Sequence, residues 1–222
     1  MKTKILSDKQ AARLEFVREP MDDYYQHSLI GIPSRHRVKK IFQELGDISG
    51  KKILDVGCEA GYVTIQLAQK GALVTGIDLI EEPIKKLRRT LKSQPKKIQQ
   101  RIKLQVADVT KLAFKANSFD IILASEVIEH ITRLNDFISG VHRVLKPHGT
   151  LLITFPNESL RQKLYPLVSL FGVKAELESQ VTLKTYQTQE ISELFSKKFT
   201  LVKHDRLPWW LSITNLMLFK KL

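Results

Sequence analysis

Residues 53–61 read ILDVGCEAG, and the downstream run ALVTGID closes on Asp78. Ile53 to Val56 is a short apolar run, the pattern of a strand buried on both faces of a parallel sheet. Gly57 and Gly61 then punctuate a turn, and YVTIQLAQK continues with apolar residues at helical spacing. Strand, glycine turn and helix together bring backbone N–H groups and a helix N-terminus to a ligand. A second apolar strand, Ala72 to Ile77, ends in Asp78, 17 residues after Gly61. That offset is near the ~20 residues at which a carboxylate accepts from a ribose. The pattern is that of an adenosine-type cofactor site.

A dinucleotide site requires G-x-G-x-x-G. From Gly57 the chain reads G-C-E-A-G, which fits neither that spacing nor a phosphate loop. It resembles instead the D-x-G-x-G-x-G motif of class I S-adenosylmethionine-dependent methyltransferases, with Asp55, Gly57 and Gly61 matching and Glu59 in place of the middle glycine. Further features follow in the family's order. LQVADV ends at Asp108 and Val109, FDIILASEVIEHI spans Phe119 to Ile131, and HRVLKPHGTLLITFPN covers 142–157. The resemblance covers roughly residues 30 to 222 and is nearest to ubiquinone-pathway O-methyltransferases.

The fold expected is α/β: a Rossmann-like, doubly wound, mostly parallel seven-stranded sheet with an antiparallel last strand. Strands are expected at 52–56, 72–77, 101–106, 119–124 and 149–155, with helices at 35–46, 61–70, 81–93, 134–145 and 188–196. FTLVKHDRL and SITNLMLFKKL read as the pair that closes the sheet, joined through Pro208, Trp209 and Trp210. The two tryptophans suit core packing at the sheet edge, with a membrane-surface or dimer contact as the alternative. Residues 1–222 are expected to form one domain, with cap helices in 1–46, including an amphipathic helix at 8–19, and a substrate-side insertion at 157–186 that begins with a helix, LRQKLYPLVSLFG.

The resemblance implies roles for particular residues. Asp55 would organise the turn or accept from the cofactor's amino group, and Gly57, Cys58, Glu59 and Gly61 would form the turn. Asp78, beside Leu79, would take the ribose hydroxyls. Asp108 would accept from the adenine amino group and the Val109 N–H would reach a ring nitrogen. Ser125 would lie under the methionine part. A positive φ at Glu59 would cost on the order of 1 kcal/mol. Ile-Pro-Ser-Arg, 32–35, is similar to the N-P-L-R segment of the ubiquinone-pathway enzymes, which makes Arg35 the clamp for the cofactor's carboxylate.

The string Ser125-Glu126-Val127-Ile128-Glu129-His130 follows the fourth strand, where open α/β sheets bind ligands. On a helical turn Glu126, Glu129 and His130 would share a face and could hold Mg²⁺ or Mn²⁺. Without metal, His130 is a candidate general base, with Glu129 beside it. E-x-x-E-H also resembles small-RNA 2′-O-methyltransferases, but the further downstream histidine of that group is absent from 157–186. Tyr24, Tyr25, His27, Tyr165 and Tyr186 are candidates for the substrate wall.

Composition narrows the rest. The chain has 222 residues, 43% hydrophobic, 27% charged, with net charge +13. The single cysteine, Cys58, permits no internal disulfide and reads as a small filler in the turn. MKTKILSDKQ has no apolar core of a signal peptide, and the longest uncharged stretch, Leu207 to Phe219, is 13 residues, short of the ~20 that span a bilayer. A cytoplasmic monomer or homodimer is expected. Between Pro83 and Ala107 stand nine lysines and arginines and no acid. Such a run suits a solvated helix face, and otherwise nucleic acid or an anionic membrane surface. The function expected is S-adenosylmethionine-dependent methyl transfer, chiefly to oxygen, on a small-molecule or lipid-like acceptor. The alternatives are an RNA 2′-O-methyltransferase and a non-catalytic cofactor-binding subunit.

Overall fold

The computed structural model describes residues 31–157, 159–161, 163, 184–208 and 213–222. In chain order the elements are α1 (Ile32–Leu45), β1 (Lys52–Val56), α2 (Tyr62–Gln69), β2 (Leu73–Asp78), α3 (Glu81–Lys92), the short α4 (Lys96–Gln99) and β3 (Ile102–Val106). They are followed by β4 (Phe119–Ser125), α5 (Leu134–Val144), β5 (Leu145–Pro156), α6 (Thr188–Ser196), β6 (Phe199–Leu207) and β7 (Thr214–Lys221). The strands make one seven-stranded sheet in the order β3-β2-β1-β4-β5-β7-β6. β1 to β5 run parallel, and β7 lies antiparallel between β5 and β6.

Apolar runs make the central strands because both sheet faces are covered. Ile53 and Leu54 on β1, and Ile122 and Leu123 on β4, are inaccessible to solvent. Alternate residues feed two separate cores. One face packs on α1, α2 and α3 through Ile41, Leu67, Ile84 and Leu87. The other packs on α5 and α6 through Phe137 and Phe195, against Phe199 and Phe219 of the antiparallel pair. Phe195 and Phe219 stack with centroids 5.0 Å apart.

Two boundaries differ from the sequence expectation by more than one residue, for physical reasons. α1 begins at Ile32, not at 35, because Pro33 sits in its first turn, where a missing N–H costs nothing. The strand expected at 149–155 begins at Leu145. The Lys-Pro-His-Gly stretch is an irregularity inside β5, with His148 at φ 58° and a register shift opposite Phe119 and Ile121. The expected helix at 8–19, Tyr24, Tyr25, His27, Tyr165, Trp209 and Trp210 lie outside the described residues. Of the helix expected from residue 160, residues 159–161 and 163 are described, and they are helical. Among the described residues no helix is long and apolar enough to cross a membrane.

The order places β1 between β2 and β4, so the connections leave β1 in opposite directions across the sheet. A crevice opens at the carboxyl ends of β1 and β4, the place where open α/β sheets take ligands.

Candidate active site

One cavity fills that crevice. Its wall takes residues from the ends of β1, β2 and β4 and from the segment after β3, plus Arg37 from α1 and Pro83 from α3. Asp55, Gly57, Cys58, Glu59, Asp78, Leu79, Asp108, Val109, Ser125, Glu126 and His130 all line it. Gly61, Arg35 and Glu129 do not.

The turn after β1 is held by β2. Gly57 has φ 66°, and a Cβ there would stand 2.5 Å from Val127 Cγ2, so only glycine lets the β1 and β4 ends approach. The Cys58 N–H donates to the Ile77 carbonyl at 3.0 Å. Glu59 adopts φ 44°, the left-handed region in which it carries a side-chain cost. Its N–H donates to Asp78 Oδ2 at 3.1 Å, while Asp78 Oδ1 accepts from the Ile80 N–H at 2.9 Å. The carboxylate that ends β2 therefore also fixes the turn that follows β1. Cys58 is buried, and burial pushes its thiol well above the ordinary range, reinforced by the charges of Asp55 and Asp78. It is a neutral filler and no nucleophile.

Gly61 has a different duty from the one expected. It caps the N-terminus of α2 at φ 90°, and a Cβ would lie 2.1 Å from Leu87 Cδ1, inside the core. Gly61 is needed for α2 to close on α3 and contributes nothing to the cavity wall.

Asp55 is 3% exposed, and Thr64 Oγ1 donates to its Oδ2 at 2.6 Å. Burial raises its pKa to about 7, the Thr64 hydrogen bond opposes that rise, and the negative charge of Asp78 adds to it. Asp108 caps a single 3₁₀ turn, Val109–Lys111: Oδ1 accepts from the Thr110 N–H at 2.8 Å and from its hydroxyl at 2.6 Å. Its other oxygen faces Arg133 Nη2 at 3.4 Å. Ser125 Oγ lies 3.0 Å from Thr154 Oγ1 on the neighbouring strand.

The acidic string after β4 does not form the expected helical face. The 3₁₀ turn begins only at Ile128 and ends at His130, and Glu126 precedes it with φ 55°. The i, i+3, i+4 geometry therefore does not exist. Glu129 is 3% exposed and points behind the wall, with its Oε1 4.0 Å from His130 Nε2. The Glu126 carboxylate is engaged by two guanidiniums: Arg161 Nη2 at 2.9 Å and Arg37 Nη1 at 3.3 Å, both on Oε2. Among the described residues no three histidine, cysteine or carboxylate side chains are grouped to hold a metal ion. Glu126, Glu129 and His130 do not fit one.

Arg35 is likewise displaced by its neighbour. Two residues along a helix rotate a side chain by about 200°, so Arg35 and Arg37 cannot face the same wall. It is Arg37, 5% exposed, on the face of α1 turned to the crevice, that lines the cavity. Tyr186 belongs to the core on the α5 face, not to the cavity wall. Its hydroxyl is pushed to about 12 by burial and by the charges of Glu190 and Glu129. Arg37, Thr64, Thr154 and Arg161 were not singled out by sequence. Thr154 sits inside an apolar strand run and Arg161 in a stretch without a motif, and only the tertiary contacts give them a role.

A doubly wound sheet with this order, with a cavity at its carboxyl ends lined by acids from successive strands, is a Rossmann-like fold. Among known proteins, residues 54–153 match the family model of the methyltransferase domain. Among curated relatives, the mitochondrial ubiquinone biosynthesis O-methyltransferase of Rattus norvegicus is 42% identical over 113 residues, 50% of this chain and 32% of the relative. The ubiquinone biosynthesis O-methyltransferase of Coxiella burnetii (strain Dugway 5J108-111) is 34% identical over 132 residues, 60% of this chain and 54% of the relative. The chain thus spans between a third and about half of the length of these relatives. In fold it is similar to magnesium protoporphyrin IX methyltransferase from Synechocystis PCC 6803 with bound SAM, at TM-score 0.73, 16% identity and full coverage of both chains. A SAM dependent methyltransferase from Aquifex aeolicus gives TM-score 0.68 at 17% identity, covering 96% of this chain and 98% of that one.

Two measurements check the site's construction. Gly61→Ala is expected to lose about 2 kcal/mol of stability in denaturant unfolding, from left-handed strain and overpacking on Leu87, with little change in ligand affinity. A larger loss of affinity than of stability would return Gly61 to the binding wall. Asp55 binds its proton more tightly folded than unfolded. Its contribution to stability is therefore complete below pH ~4 and is lost as pH rises through its folded pKa of about 7. Ligand-free protein should melt at falling temperature from pH 5 to 8, and Asp55→Asn should flatten that slope. An unchanged slope would place the titration elsewhere.

Proposed function

We propose that this chain is an S-adenosylmethionine-dependent methyltransferase that methylates an oxygen of a small-molecule or lipid-like acceptor. The observation that carries the reading is the sign of the cavity. In a chain of net charge +13 the described wall carries the carboxyl groups of Glu59, Asp78 and Asp108, with the readily protonated Asp55 and with Glu126 paired to Arg37, the one arginine or lysine among the described lining residues. A pyrophosphate would be repelled there. A ligand bearing a sulfonium, an ammonium and one carboxylate is complementary to it. When bound, that ligand supplies a methyl group on positively charged sulfur.

The residues divide the recognition among them. Asp78 has both oxygens fixed by backbone donors, and carboxylate lone pairs beyond those two suit the ribose hydroxyls. Asp108 and Val109 suit the adenine edge. Gly57 lets the backbone approach the methionine part, with Asp55 and Glu59 near its ammonium. Arg37, a planar two-pronged donor, suits the carboxylate better than Arg35.

His130 lines the same cavity past β4 and is the candidate for removing the acceptor's proton, with Glu129 behind it. The acceptor class follows the relatives, whose printed names are O-methyltransferases of ubiquinone biosynthesis. Much of the rate in such a displacement comes from holding donor and acceptor in line.

Calorimetry with S-adenosylmethionine and a methyl-transfer screen over phenols, quinol precursors, amines and tRNA test the reading together. Asp78→Ala should weaken cofactor binding by about 2–3 kcal/mol, because it removes a charged acceptor and also frees the Glu59 turn. Unaltered affinity would sink the cofactor assignment. His130→Ala should keep cofactor affinity and lose ~10²-fold or more in turnover, most steeply near neutral pH. A loss under ~10-fold would leave alignment as the main source of rate.

A further inference from the structure

β1 is the middle strand of the parallel part of the sheet, and it carries a carboxyl group one residue before its end. Asp55 stands opposite Gly76 on β2 and Leu123 on β4, so neither neighbouring strand brings it a charge at its own level. It is 3% exposed, yet it lines the cavity. Thr64 Oγ1, from the first turn of α2, donates to its Oδ2 at 2.6 Å. The ionisable groups that share the wall with it come from each element around it. They are Asp78 at the end of β2, Cys58 and Glu59 in the turn, Tyr62 at the start of α2, Arg37 on α1, and Glu126 and His130 after β4. Burial favours the protonated Asp55 carboxyl, the Thr64 hydroxyl favours the ionised one, and the charge of Asp78 works with burial. The two forms balance at about pH 7. An opposite charge within about 4–6 Å lowers the pKa of a carboxyl by ~1–3 units, so one arriving cation decides the balance.

We propose that Asp55 selects a cofactor that bears an ammonium group, and does so by exchange: its proton leaves for solvent as the ammonium arrives. The inference rests on the proposed S-adenosylmethionine reading and deepens it. The O–H bond of the carboxyl breaks, the electron pair stays on the oxygen, and the ammonium becomes the counter-charge. One positive charge enters and one leaves, so the inner end of the cavity keeps its net charge. No oxidant, reductant or further reactant is required. A thioether nucleoside that lacks the amino-acid part brings no ammonium, and it leaves the proton in place. Selection is therefore tied to pH. A ligand that binds with proton release binds more tightly as pH rises. The gain ends above the pH of about 7 at which Asp55 is already ionised in the ligand-free protein. Asp78, fixed by two backbone donors, keeps the ribose under the same conditions.

The test counts protons without turnover. S-adenosylhomocysteine, which has no methyl to give, is titrated into the wild-type protein by calorimetry at pH 6, in two buffers of different ionisation enthalpy. The ligand's own amino and carboxyl groups stay charged at that pH. Release should exceed ~0.5 proton with S-adenosylhomocysteine and vanish with 5′-methylthioadenosine, which has no ammonium. Affinity for S-adenosylhomocysteine should rise ~10-fold or more from pH 5 to pH 8. Asp55→Asn should abolish both the release and the rise. Should that variant not fold, Thr64→Val decides: without the donor to the ionised acid, the midpoint of the rise should move to higher pH. Equal release in Asp55→Asn, or an unmoved midpoint in Thr64→Val, would overturn the inference. Equal release with 5′-methylthioadenosine, or binding of S-adenosylhomocysteine with no release, would also overturn it and leave the methyl-transfer reading standing. If the wild type binds neither S-adenosylmethionine nor S-adenosylhomocysteine, the cofactor reading fails and this inference with it.

Discussion

The Asp78 carboxylate is the contact on which the rest of the site depends. It ends β2, yet it accepts from the Glu59 N–H in the turn after β1 and from Ile80 at the start of α3. The turn after β1, the end of β2 and the start of α3 are thereby referred to one side chain. A charge-assisted hydrogen bond of this kind contributes about 1.5–3 kcal/mol, enough to offset the ~1–2 kcal/mol that a left-handed non-glycine residue costs. Glu59 can therefore stand where a glycine would otherwise be required, provided Asp78 is present.

How far the sequence discloses the molecule follows from where the determining contacts lie. β1, its turn and Asp78 are legible because strand, glycines and acid are read locally, and local chemistry sets them. Cys58 is legible for the same reason: its neighbours leave no partner for a thiolate. The E-x-x-E-H string is not legible as geometry. Its spacing assumes an α-helical turn, and the hydrogen bonds from Glu126 to Thr154 hold the first residue out of that helix. Arg35 against Arg37 turns on which face of α1 meets the crevice, a tertiary contact that the local spacing does not disclose. Arg161 has no local signal, since its partner Glu126 lies 35 residues away in sequence.

Charge is segregated across the molecule in a way composition conceals. On α3 the exposed Lys85, Arg88, Arg89 and Lys92 fall at spacings that share one face, and the acids Glu81 and Glu82 are confined to its first turn. That arrangement complements the helix dipole at both ends. It also leaves negative charge at the end of α3 nearest the cavity, where Pro83 joins the wall, and positive charge at the far end. The basic surplus thus sits on the flank, and the cavity keeps a potential of opposite sign. The same segregation argues against a polyanion threading into the site, because any strand drawn to the flank would meet carboxylates at the mouth.

The two strands that border the crevice end alike. The chain after β1 reaches left-handed backbone at Gly57 and Glu59, and the chain after β4 reaches it at Glu126. Left-handed non-glycine residues cost of order 1–3 kcal/mol where the surroundings enforce them. Here the enforcing groups are visible: Asp78 for Glu59, and Thr154 with two arginines for Glu126. A sharp turn at each strand end keeps the next residues from running straight on as helix, so carboxylate side chains and backbone donors stay at the rim. The strain at each turn is matched by an anionic or hydroxyl partner on the adjacent strand, which means that removing the partner should distort the turn before it alters the core. The crevice is in this sense assembled by neighbouring strands correcting one another, and its shape follows from the strand order more than from any single motif.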